Sequence, residues 1–150
     1  MAPPRNPNVL LRLFTTGQLA NQLLARNLDP LGISPNQFGV TSVIGVFGPI
    51  TPTDLAGRLG MAPTTLSAWI RRLDDAGHVC RSPNPDDGRS YLLELTEEGR
   101  QAIAAAGPRF QAALEALETE LGDDAETVGS AGAVLEAALR RALSGSTVSQ

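Results

Sequence analysis

Thr64, Thr65, Ser67, Ala68 and Arg71 alternate with Leu66, Ile70 and Leu73, whose i, i+4, i+7 spacing turns the three large apolar residues inward and the other five outward. Threonine and serine hydroxyls donate or accept hydrogen bonds, the threonine and alanine methyls offer apolar contact, and arginine carries a planar fork of donors. Arg72 lies about 100° round the helix from Arg71 and suits support of the fold or a backbone contact. Another arginine, Arg89, follows Asp87 and Gly88 in the polar stretch Ser82–Ser90. Asp87 is suited to bonding backbone or guanidinium groups within that loop and so fixing the direction of Arg89. All of this is the chemistry of contact. Covalent chemistry lacks its parts: His78 and Cys80 are the only His and Cys and have no evident acid partner, and the hydroxyls have no recognisable base. No glycine-rich phosphate cradle follows a strand, so no enzyme is expected. No metal or other cofactor is expected either, and Cys80 reads as small buried bulk in a strand.

The elements that must position these groups are marked by proline, glycine and hydroxyl residues. Residues Met1 to Asn8 hold three prolines and read as a loose arm. An apolar stripe from Val9 to Leu28 predicts a helix ending near Pro30, and Ser34-Pro35 predicts the cap and first residue of another reaching about Phe47. Thr51-Pro52-Thr53-Asp54 resembles a capping box with Asp in place of Glu, opening a short helix that Gly60 ends. Pro63 starts the helix that carries Thr64 to Arg72, and Gly77 stops it. The period then changes to two, so Val79–Arg81 and Tyr91–Leu95 read as strands joined by a projecting loop. Thr96 caps a long Ala-rich helix, in which Gly107-Pro108 predicts a kink or break, and a final helix follows Gly122-Asp123-Asp124.

With 150 residues the chain suits one domain, and with aromatics at only 4% its core is built from Leu, Val, Ile and Ala. The apolar runs are too short for a membrane span and Met1–Arg5 has no signal-peptide core, so a cytoplasmic protein with no membrane partner is expected. Formal charge is -4, every basic residue is Arg, and residues 54 to 100 carry six Arg against eight acids. Binding to a polyanion therefore requires the arginines to gather on one face.

Two short helices followed at once by a hairpin form a winged helix-turn-helix, here mainly α with a small β-hairpin wing. Its second helix fits the major groove of double-stranded DNA, and a guanidinium at the wing tip reaches a narrow minor groove. Thr64, Thr65, Ser67, Ala68 and Arg71 then face base edges, and Arg89 fills the wing contact. The reading unit is 51–95 within a single domain spanning 1–150. The apolar helices of 9–50 and 96–143 need a partner face, which a two-fold homodimer supplies.

Three stretches carry a resemblance: Gly77-His78-Val79-Cys80-Arg81, Pro85-Asp86-Asp87-Gly88-Arg89 and Leu93-Glu94-Leu95-Thr96-Glu97-Glu98-Gly99. In this order they look like the MarR family of bacterial transcriptional regulators. The resemblance implies a dimeric, mainly helical winged-helix protein that binds pseudo-palindromic operators, many members of the family being repressors released by small aromatic or phenolic compounds, by oxidation or by other ligands. It also implies that Asp87 and Arg89 form the wing pair, that Arg81 is the basic residue ending the first wing strand, and that Thr65, Ser67 and Arg71 face the groove. The ligand cavity it implies lies where the dimer helices meet the reading unit, with Phe38, Phe47 and Trp69 as its aromatic candidates. The chain departs from the pattern at Ala62, where a Ser or Thr cap is common, at Gly88, where a second arginine is common, and at Trp69, where an aliphatic residue is usual. The net acidity of 54–100 and the missing cap motivate one alternative, a winged-helix scaffold that binds protein and has weak or no DNA affinity.

Overall fold

A computed structural model describes residues 8–145. The expected arm lies outside the described residues except for Asn8, whose Oδ1 accepts the Leu11 N–H at 2.9 Å and so caps the first helix. The helices are α1 (Val9–Leu28), α2 (Pro35–Phe47), α3 (Pro52–Leu59), α4 (Pro63–Asp75), α5 (Glu97–Leu121) and α6 (Ala125–Gly145). Between α4 and α5 run two antiparallel strands, β1 (Val79–Pro83) and β2 (Tyr91–Leu95), in the register Val79 to Leu95 and Pro83 to Tyr91. The fold is therefore mainly α-helical with a β-hairpin wing.

Local chemistry sets most boundaries. Ser34 and Gln37 form a reciprocal capping box at the start of α2, in which Gln37 was not foreseen. Thr51 caps α3 through the Asp54 N–H at 3.1 Å, but the Asp54 carboxylate takes the Thr51 hydroxyl and not its backbone N–H, so the box is only half made. At the end of α4, Gly77 adopts φ 71°, and the His78 and Gly77 N–H groups return to the Leu73 and Asp74 carbonyls at 2.8 and 2.9 Å. These are the two bonds of a Schellman stop, which needs a residue comfortable at positive φ.

Three expectations are corrected. Strand β1 continues through Ser82 and Pro83, which pair with Leu92 and Tyr91, so the wing loop is shorter than Ser82–Ser90. Of the kink or break expected at Gly107-Pro108, the break does not occur, and helix α5 runs on through Pro108. Proline removes one N–H there, and the carbonyl it strands belongs to Ala104, which is exposed and can meet water. Cys80 is exposed, because strand alternation sends Val79 inward and its neighbour outward.

Packing divides the chain into two compact units between Ala113 and Leu114, within α5. In the first, Val40, Ile44, Leu55, Leu66, Ile70, Leu73, Val79 and Leu93 form a core joining α2, α3, α4 and the wing. Burying each of the larger side chains contributes about 1.5–3 kcal/mol. An isolated bridge between Ile50 and Leu93, with N–H···O distances of 3.1 and 2.9 Å, fastens the α2–α3 junction to β2. Helix α1 leaves Leu10, Phe14 and Leu19 exposed, Phe14 by 65%. In the second unit α6 buries nothing and shows Val134 and Leu143 at 68% and 73%.

Candidate nucleic-acid interface

Helix α4 has two faces of opposite character. Leu66, Ile70 and Leu73 are essentially fully buried, while Thr64, Thr65, Ser67, Ala68, Arg71 and Arg72 are all exposed. The helix thus shows a continuous outward row of hydroxyls, methyls and guanidinium groups. Its N-terminus has Ala62 at the cap position with no side-chain hydrogen bond, so its first N–H groups lack the acceptor that Ser or Thr provides. Ser67 Oγ donates to the Pro63 carbonyl at 2.8 Å and keeps its lone pairs for an outside donor.

The arginines occupy three different settings. Among the described residues no carboxylate pairs with the guanidinium of Arg71 or Arg89, and both are exposed. Arg72 lies over the Trp69 ring at 4.7 Å, and Trp69 in turn packs against the core, so the expectation that Arg72 supports the fold has a physical basis. Arg81 pairs with Asp74 at 3.0 Å across the gap between β1 and α4, and its guanidinium sits 4.8 Å from the centre of the Tyr91 ring. Arg81 is thus held inside the protein's own network, which brings in Asp74 and Tyr91, two residues that sequence reasoning missed. The hairpin register puts Tyr91 near Arg81 on one strand face, a signal that was available. Asp74 lies on another element and gave none.

At the wing tip Asp87 Oδ1 accepts the Arg89 N–H at 3.0 Å, and its carbonyl accepts the Ser90 N–H at 3.0 Å. Asn84 makes a similar turn with the Asp86 N–H. These local bonds give a short polar loop a defined path. At the wing's base Thr96 ties three segments together. Its hydroxyl donates to the Gly77 carbonyl at 2.5 Å and accepts the Gly99 N–H at 3.0 Å, while its own N–H donates to the His78 carbonyl at 3.0 Å. A Cβ at position 99 would collide with that same His78 carbonyl, which explains the glycine three residues after the threonine.

One apolar cavity of about 20 Å³ is lined by Phe38, Thr41, Leu73, His78 and Ile103 among others. Phe38 also stacks on Phe110, with ring centres 5.0 Å apart. Of the three aromatic candidates only Phe38 lines this cavity. Phe47 lies instead under the Arg58 guanidinium at 3.8 Å. Among the described residues no group of three or more His, Cys, Asp or Glu is placed to hold a metal ion, and no helix is long and apolar enough to cross a membrane.

Comparison with known proteins places this geometry in context. The model of the MarR family matches residues 33–91. The multiple antibiotic resistance protein MarR of Salmonella typhimurium is 36% identical over 87 residues, which are 58% of this chain and 60% of that protein. An HTH-type transcriptional regulator of Mycobacterium tuberculosis is 34% identical over 90 residues, 59% of this chain and 62% of its own length. The chain therefore spans about three fifths of the length of these two curated relatives. Among solved structures, a cysteine-to-serine mutant of MarR from E. coli complexed with operator DNA is 31% identical. It superposes with a TM-score of 0.76, covering 87% of this chain and 93% of that one.

Proposed function

This chain belongs to the MarR family, and on that footing we propose that it is a sequence-specific, double-stranded DNA-binding transcriptional regulator that works as a homodimer. In this reading Thr64, Thr65, Ser67, Ala68 and Arg71 meet base edges in a major groove. Arg72 adds positive charge beside the backbone, Arg81 lies at the same interface with its charge paired to Asp74, and Asp87 aims Arg89 toward the adjacent minor groove or its phosphates. The unit 51–95 does the reading, and the helices of 9–50 and 96–143 pair two such units. Two copies related by a two-fold axis suit an inverted repeat with half-sites roughly 34–36 Å apart.

The observation that carries the proposal is the split of α4, with Leu66, Ile70 and Leu73 buried, Trp69 half-buried, and an outward row of contact groups beside a wing tip bearing Arg89. Of the acids that argue against a polyanion, Asp74 pairs with Arg81 and Asp54 accepts the Thr51 hydroxyl, both while staying exposed. Titration of labelled duplex at several salt concentrations is the test. Binding of a selected inverted repeat in preference to a scrambled duplex, weakening as salt rises, is the expected result. Equal affinity for both duplexes would favour the protein-binding scaffold.

We further propose that the regulator is a repressor released by a small aromatic ligand at the Phe38 cavity. At about 20 Å³ this cavity holds roughly one water, so a ligand must widen it and thereby favour a different arrangement of the elements around it. Calorimetric titration with salicylate, with and without operator, tests this. Unchanged operator affinity at saturating salicylate would count against this class of effector.

A further inference from the structure

We infer that Asp74 is a positioning residue for DNA recognition, setting the pitch of the wing against α4 through Arg81 and Tyr91; the inference rests on the DNA-binding reading above. Strand alternation and register put Val79, Arg81, Tyr91, Leu93 and Leu95 on one face of the hairpin. Val79, Leu93 and Leu95 are buried, but Arg81 is exposed and Tyr91, though packed against the core, is only half-buried, so the apolar seal between wing and core thins beyond Leu93. Beyond that point the brace is polar. Arg81 reaches Asp74 in the last turn of α4 at 3.0 Å and lies over the Tyr91 ring. The outer hairpin, which carries Asp87 and Arg89, is therefore steadied on the recognition helix by one ion pair and one ring.

A carboxylate at this place is unfavourable on two other grounds. It opposes phosphate, and it lies at the negative end of the α4 dipole. As a contribution to stability the pair is small, since both side chains are 44% exposed and screened by solvent. What it does supply is direction, because a guanidinium that is stacked on a ring and also bonded to a carboxylate has few orientations left.

The two roles of Asp74 predict opposite signs. By charge alone, removing it strengthens DNA binding and releases Arg81 toward phosphate. As a brace, removing it weakens discrimination between operator and other DNA. The full-length protein is first used to select duplexes from a randomised pool. Failure to enrich any sequence overturns the DNA-binding reading itself, an outcome separate from the following ones. With a selected and a scrambled duplex, Asp74→Ala is expected to lower the ratio of their affinities about fivefold or more, and Asp74→Glu to stay within about twofold of the parent. In an Arg89→Ala background the Asp74→Ala loss should largely vanish, because the brace acts through the wing tip. A ratio that is unchanged or raised by Asp74→Ala, or a loss of equal size without Arg89, overturns the inference. Circular dichroism checks folding. If Asp74→Ala does not fold, Tyr91→Leu removes the ring from the same brace and must show the same dependence on Arg89.

Discussion

Asp87 Oδ1 accepts the backbone N–H of Arg89 at 3.0 Å, so the acid nearest the wing's cation holds its main chain and leaves its guanidinium unpaired among the described residues. Arg89→Ala is expected to weaken operator binding by about 1–3 kcal/mol and to lower the salt slope by about one phosphate per wing. Asp87→Ala should weaken it as well, despite removing a negative charge. Anisotropy titrations at several salt concentrations measure both. Unaltered affinity and slope in Arg89→Ala would return this arginine to an ordinary turn role.

Gly88 has open space where a Cβ would stand, and its φ lies outside the positive range that favours glycine. Gly88→Arg should therefore leave stability within about 0.5 kcal/mol while steepening the salt dependence of DNA binding by about 0.9 per added phosphate contact. A marked fall in melting temperature would show that the loop does need glycine there.

Ala62 leaves the start of α4 without a side-chain acceptor. Ala62→Ser is expected to raise unfolding free energy by about 0.5–2 kcal/mol, read as a shift of the urea midpoint at constant slope. No shift would mean that water already caps this end as well as a hydroxyl does.

Gly99 backs onto the His78 carbonyl, so a side chain there would push α5 away from the segment that joins α4 to β1. Gly99→Ala should destabilise by about 1–3 kcal/mol, the usual cost of overpacking. Chemical denaturation decides it, and a stability equal to the parent's would show that the Thr96 clasp gives way easily.

Phe14 is 65% exposed on α1, beside the equally bare Leu10. Phe14→Asp is expected to shift sedimentation at micromolar concentration from dimer toward monomer, and to reduce operator affinity in step. A parent protein that is already monomeric at that concentration would refute the two-fold arrangement.

Much of the fold was legible because punctuation and period agreed. Ser34-Pro35, Thr51-Pro52 and Pro63 open helices, and Gly60 and Gly77 close them, each for a backbone reason that acts within a few residues. The outward row on α4 was legible for the same reason, since a helix period needs no knowledge of its neighbours. What failed depended on surroundings. Pro108 passes through α5 because Ala104 happens to face water, and Cys80 faces outward because its neighbour Val79 takes the core. The Arg81 contacts draw on α4, β1 and β2 together; hairpin register brings Tyr91 near Arg81, but no spacing in a linear sequence encodes the meeting with Asp74.

The bridge between Ile50 and Leu93 is made wholly of main-chain atoms. Any residue but proline supplies the same N–H and C=O, so the bonds themselves do not depend on the loop and surface residues around them, while the buried Ile50 and Leu93 side chains are held by the core. On the DNA-binding reading proposed above, a lineage can therefore rewrite the wing loop and the outward face of α4, and with them the DNA recognised, while the wing stays moored to the α2–α3 junction. New specificity is reached here by changing what the hairpin carries, without having to reinvent how it is attached.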